Sequence, residues 1–170
     1  MGTISLKGEY TISITYQRMF HTYTAGYSST NLITEKGLNY LVNKWNNEEG
    51  QITEIIVGDN RDNPKPEDTI GTFTNWKRFE IIPHVEGNKL VMTNNNISGK
   101  QLNGTREIGV IAQVTSIGMV DYEDEIMEET ESEEILVSRD THPTITIPET
   151  SIISMEYVYT LTSLSKDECT

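Results

Sequence analysis

The sequence contains one cysteine, Cys169, beside its C-terminus. A single thiol makes no disulfide within the chain and no thiolate metal cluster, so stability has to come from packing, with a partner subunit as a further source to consider. Long apolar runs are missing as well. No segment approaches the ~20 residues that cross a bilayer as a helix, so no membrane partner is expected. Met1–Leu6 has no apolar signal core, which points to synthesis in the cytoplasm of the producing cell. Bases are few: 13 Lys and Arg stand against 26 Asp and Glu, for a formal net charge of −13. A chain so acidic repels phosphate backbones, which argues against direct nucleic-acid contact and favours basic proteins or cations as partners. Hydrophobic residues make up only 35%, so the core is expected to be thin under much polar surface.

Signatures of catalysis are absent too. There is no G-x-S-x-G elbow, no phosphate-binding G-x-x-x-x-G-K-[ST] loop and no G-x-G-x-x-G turn. His21, His84 and His142 form neither an HExxH motif nor an i, i+4 pair. Acids are plentiful, but nothing singles out a pair for glycoside hydrolysis. The expectation is a non-enzyme with no cofactor. For a metal, the candidates are Asp59, Asp62 and Asp68 in the turn-rich loop after Val57. Arg61 occupies a ligand position of an EF-hand loop and no glycine follows at the sixth, so turn chemistry accounts for these residues without an ion.

The acid that is present is concentrated. Asp121, Glu123, Asp124, Glu125, Glu128, Glu129, Glu131, Glu133 and Glu134 fall in one stretch without a base, and the other 17 acids against 13 bases leave only −4. The stretch reads as a solvated loop or flexible excursion, as an electrostatic contact to a basic patch on a neighbouring subunit, or as a divalent-cation binder. For interaction, these nine residues are the candidates.

Periodicity gives the rest. Ile4, Leu6, Tyr10, Ile12, Ile14 and Tyr16 alternate with polar residues, the mark of a half-buried strand. Arg18–Ser29 reads as strand ending in loop. Ser29, Thr30 and Asn31 offer N-caps to a helix over about residues 31–46, with Thr34, Leu38, Leu41, Val42 and Trp45 on one stripe and Gly50 as its stop. Strands are expected at 51–57, 75–85, 89–97, 106–119, 134–138 and 151–164, with a turn at Glu86-Gly87-Asn88 and an edge strand or loop at 142–147. Asn96-Ile97-Ser98 and Asn103-Gly104-Thr105 match the glycosylation sequon but read simply as turns. The outcome is a mostly-β fold, an antiparallel β-sandwich with one packed α-helix. It forms one domain over residues 1–165, with an N-terminal strand region at 1–28, an acidic insertion at 121–134 and a flexible tail at 166–170.

The order of these segments resembles a known family. Asn31-Leu32-Ile33-Thr34-Glu35-Lys36-Gly37-Leu38 resembles the N-x-I-T-x-x-G-L opening of small tail-fibre and baseplate proteins of tailed bacteriophages. Ile52–Gly58 is similar to their I-x-x-I-x-V-G strand, and Asp59–Thr69 to the Pro-containing loop after it. Arg106-Glu107-Ile108-Gly109-Val110 resembles x-E-I-G-L, and Val137-Ser138-Arg139-Asp140 with Ile152–Leu161 resembles the closing strands. The resemblance covers about residues 30–163 and leaves residues 1–28 and 121–134 unmatched. It implies a virion structural protein of the tail, baseplate, fibre attachment or neck, made in the host cytoplasm. Its partners would be other virion proteins and copies of itself, as a trimer or hexamer. A capsid decoration or head-fibre protein is the alternative. A host-glycan-binding module, with Trp76, Trp45 or tyrosines as its platform, is a third reading.

Overall fold

The computed structural model describes residues 3–18, 21–44, 50–123 and 125–164. They form nine strands and two short helices: β1 Thr3–Arg18, β2 His21–Ile33, α1 Glu35–Lys44, β3 Gly50–Gly58, β4 Lys77–Glu80, β5 Ile82–Glu86, β6 Lys89–Ser98, α2 Gly99–Leu102, β7 Glu107–Tyr122, β8 Glu125–Thr141 and β9 Ile152–Leu164. All pairings are antiparallel. One sheet runs β2-β1-β9-β6-β5 and the other β4-β3-β7-β8. They join where Leu32 and Ile33 of β2 pair with Arg139 and Ser138 of β8. The expected antiparallel β-sandwich with a packed helix is therefore the architecture found.

Alternation builds the core. In β1, Tyr10, Ile12 and Ile14 are buried while Lys7, Glu9, Thr11 and Ser13 are exposed. Ile153, Met155, Tyr157 and Tyr159 of β9 extend the same buried face. Ile55 and Val57 of β3, Ile108 and Val110 of β7 and Ile135 of β8 join them from the other sheet, together with Tyr40 and Leu41 of α1. Each such side chain taken from water contributes about 1.5–3 kcal/mol. A second, smaller cluster lies on the outer face of the β4-β3-β7-β8 sheet. There Phe73, with Ile70 beside it, packs on Ile56, Ile111 and Leu136. The loop between β3 and β4 is thus a flap with its own apolar anchor, so this sheet is covered on both faces.

Two bulges supply the joints. β7 pairs Val110 with Ser138 and Ile111 with Leu136, which leaves Val137 as an extra residue in β8. β3 skips Thr53 in the same way. A bulged residue leaves the ladder, and here each carbonyl takes a new partner. Thr34 N–H donates to Val137 O at 3.0 Å, and Ile81 N–H donates to Thr53 O at 3.2 Å. The first bond seats α1. The second fixes the corner at which the chain leaves β4 and enters β5 in the other sheet, which splits the single strand expected over 75–85.

The helix begins later than the sequence suggested. Ser29, Thr30 and Asn31 belong to β2, which pairs with β1 without interruption from Arg18↔His21 to Gly8↔Asn31. The expected loop is therefore strand. Thr34 is the cap: its Oγ1 accepts from Gly37 N–H at 3.0 Å, as an N-cap hydroxyl does, and donates to Leu136 O at 2.5 Å. Gly37 has a packing reason. A Cβ there would lie 2.0 Å from Val137 O, so only glycine lets α1 approach β8 so closely. Leu38, placed on the buried stripe by its spacing, is 47% exposed, whereas Tyr40 is buried. Gly50 opens β3 rather than ending the helix. Trp45 lies outside the described residues.

Candidate functional site

The flap over β3, β7 and β8 encloses the most polar part of the interior. Arg139, fully buried on β8, donates from Nε to Glu107 Oε1 at 3.0 Å, from Nη1 to Asp68 Oδ2 at 3.1 Å and from Nη2 to Asn60 O at 3.3 Å. Its guanidinium carbon lies 5.7 Å from the Phe73 ring centre. Glu107, also fully buried, uses its other oxygen to accept from Asn60 N–H at 2.5 Å and Thr74 N–H at 3.3 Å. Gly58 permits this approach, since a Cβ there would stand 2.6 Å from Glu107 Oε2. Burial pushes the Glu107 carboxyl up, against the opposing pull of the Asn60 N–H and the Arg139 guanidinium. The arrangement clamps the flap to the sheet: each charged group faces a partner, as buried charges require.

The three metal candidates are directed to different partners. Asp68 holds Arg139 and accepts from Lys65 N–H at 2.9 Å. Asp59 accepts from Thr74 Oγ1 and, at 2.8 Å, from Asn75 Nδ2, and these bonds hold its carboxyl below its ordinary value. Asp62 is exposed, its backbone N–H donating to Asn60 Oδ1 at 3.0 Å. Among the described residues no three His, Cys, Asp or Glu side chains stand close enough to share an ion.

The acidic stretch is strand rather than loop. Asp121 falls in β7; Glu125, Glu128, Glu129, Glu131, Glu133 and Glu134 fall in β8. Glu123 occupies the turn at φ 49°, and Asp124 lies outside the described residues. β7 and β8 pair from Glu107↔Thr141 out to Tyr122↔Glu125. Two of the acids serve the fold itself. Glu133 lies 3.2 Å from Lys36 Nζ on α1. Glu134 takes both terminal nitrogens of Arg78, at 2.9 and 2.7 Å, while Arg78 also grips Glu54 at 2.6 and 3.1 Å. Arg78 holds the Glu134 carboxyl below its ordinary value.

A third polar group sits between the sheets. Ser138 Oγ is hydrogen-bonded to the Tyr157 hydroxyl at 3.0 Å and to the Tyr159 hydroxyl. Tyr10 packs 5.8 Å from Tyr157 and 6.3 Å from His142, centre to centre. Burial raises the pKa of Tyr10 and Tyr157 and lowers that of His142. Tyr10 and Tyr157 therefore stay protonated at neutral pH and are unfit as bases. On the surface, Trp76 is 52% exposed, with the Arg78 guanidinium 5.8 Å from its ring. An open cleft elsewhere is lined by Tyr40, Gln51, Ile52, Pro83, His84, Val85 and Leu90.

Sequence reading missed Arg139 and Glu107. The available signal was an acid, Glu107, opening the apolar run Ile108–Ala112, and Arg139 as the one base of β8, just after the apolar run Ile135–Val137. No protein-family model, curated protein or solved structure matches the chain.

Proposed function

We propose that the chain is a structural component of a tailed-phage virion, in the tail, baseplate, fibre attachment or neck, and that it works by protein–protein assembly rather than catalysis. The observation that supports this reading is where the motif residues meet. Thr34 and Gly37 of the first motif seat α1 on Val137 of the last. Gly58 of the second makes room for Glu107 of the third, and Glu107 binds Arg139 of the last. Asp68, from the loop motif, closes the clamp. Motif residues of an enzyme converge on a cleft with unspent reactive groups. These converge on one another and fix the framework, which is what a module built to present surfaces requires. A capsid decoration role would use the same framework. Among the described residues the glycan-binding reading has exposed Trp76 to support it, and a glycan array showing no binding removes it.

The test is co-fractionation. Particles released from the producing cells are banded on a density gradient and probed with an antibody to the chain. Assembly in a virion predicts the chain in the particle band after a high-salt wash. Recovery only in the unbanded soluble fraction refutes it.

A further inference from the structure

We propose that the acidic β7–β8 hairpin of one copy adds to the open edge of β2 in a second copy of this chain. Beyond Gly50↔Val114, where β3 ends its pairing, β7 and β8 continue as a two-stranded arm of eight residue pairs, from Thr115↔Ser132 to Tyr122↔Glu125. Among the described residues neither strand of this arm has another neighbour. A two-stranded hairpin alone in water is marginal, so an arm of this length calls for a partner.

The other half of the interface is β2. From His21 to Asn31 it pairs with β1 on one side, and among the described residues no strand pairs with its other edge until Leu32 and Ile33 meet β8. That edge is 11 residues long, about 36 Å at the usual rise per strand residue. It accommodates the eight-residue arm. The other free edges do not: the arm's own edges in a second copy carry the same acids, and like charges across strands repel. β4 has four residues, and β5 has five, including Pro83, which lacks the N–H a ladder needs.

Charge selects the same surface. The arm, residues 115–132, carries seven acids and no base, whereas residues 10–34 contain no acid and include Arg18 and His21. The acidic arm thus meets no like charge within the acceptor strand, in a chain whose net charge is −13. Topology makes the contact intermolecular. The Leu32↔Arg139 and Ile33↔Ser138 pairs are antiparallel. From that junction β2 therefore extends one way, toward residue 21, and β8 extends the opposite way, toward residue 125. An arm cannot reach its own β2 edge. Main-chain pairing of an added strand supplies affinity, as in β-augmentation. Two different surfaces meet, so the contact is heterologous and repeats around a ring or along a stack. The inference rests on the assembly reading only in taking the partner to be another copy.

Sedimentation analysis of the purified full-length chain tests it at about 100 µM, a concentration that populates micromolar interfaces. The full chain should sediment as a multimer. A variant with residues 116–131 replaced by Asn-Gly, which closes the hairpin between the paired Thr115 and Ser132, should be monomeric. Thr24→Pro and Ala25→Pro, made separately, remove successive N–H groups, of which one faces β1 and the other the free edge. The one that keeps a full-length circular dichroism spectrum should also be monomeric. Thr24→Glu, which leaves the backbone intact and adds like charge, should weaken association if both prolines unfold the chain. The arm-deleted and edge-blocked chains, mixed, should form a one-to-one complex. A monomeric full chain, or an arm-deleted chain that sediments like the full one, overturns the proposal. Either result leaves co-fractionation with particles unaffected, so the two readings fail separately.

Discussion

Glu107→Gln isolates the clamp with the smallest change of shape. Glutamine keeps the volume but replaces one acceptor oxygen by a donor. With that NH2 toward Arg139 it opposes Nε, now 3.0 Å from the carboxylate; turned over, it opposes the Asn60 and Thr74 N–H groups. Either way at least one buried donor loses its acceptor, at about 1–3 kcal/mol. Arg139, with no exposure of its own, keeps only Asp68 as a charged partner, and breaking a buried pair costs about 3–5 kcal/mol. Asp68 stays in place and burial already raises the Glu107 pKa. The lower end of that range therefore applies, and the total expected is about 3 kcal/mol. At a urea slope of about 2 kcal/mol per M, the unfolding midpoint should fall by about 1.5 M. Asp68→Asn should cost less, because Asp68 retains 9% of its side-chain exposure against none for Glu107. A midpoint for Glu107→Gln within about 0.3 M of the parent, or a larger loss for Asp68→Asn, would refute the clamp.

Three further outcomes follow from the joints. Gly37→Ala, which would stabilise an exposed helix by about 1 kcal/mol, should instead cost about 2–3 kcal/mol by overpacking against Val137 O, measured by urea unfolding. Thr34→Val should lose about 1–2 kcal/mol with the cap and free α1 from β8, seen as faster amide exchange in residues 35–41. Stability should fall with acid on two counts, followed as a thermal midpoint against pH. His142, whose pKa burial lowers, resists protonation in the folded state. The unfolded chain takes the proton first as pH falls below about 6.5. Glu134, whose pKa Arg78 lowers, contributes stability that is present above its unfolded value near 4.3 and is lost as pH falls through its lower folded value. His142→Phe should remove the upper limb of this profile and leave the lower one.

Much of the sandwich was legible because one face of β1 and of β9 follows period two, and that signal is local. The boundary of α1 was not. Leu32 and Ile33 continue the apolar pattern across a strand end, and only the Val137 bulge decides that the helix starts after Thr34. β2 was hidden for a related reason. Its thirteen residues are polar, aromatic and Gly-containing, and they become strand by pairing with β1 over eleven positions. The acidic stretch looked like loop because like charges disfavour compact structure, yet its register is set by β7 before the charges begin. The clamp joins residues up to 79 apart in sequence, a convergence that no local spacing reveals.

Copy number in purified particles tests the central claim most directly. Quantitative mass spectrometry, referenced to an isotope-labelled copy of the chain, should give a fixed count per particle that is a multiple of three or six. A count that varies between preparations, or a chain confined to the soluble fraction, would contradict an assembly role in the virion.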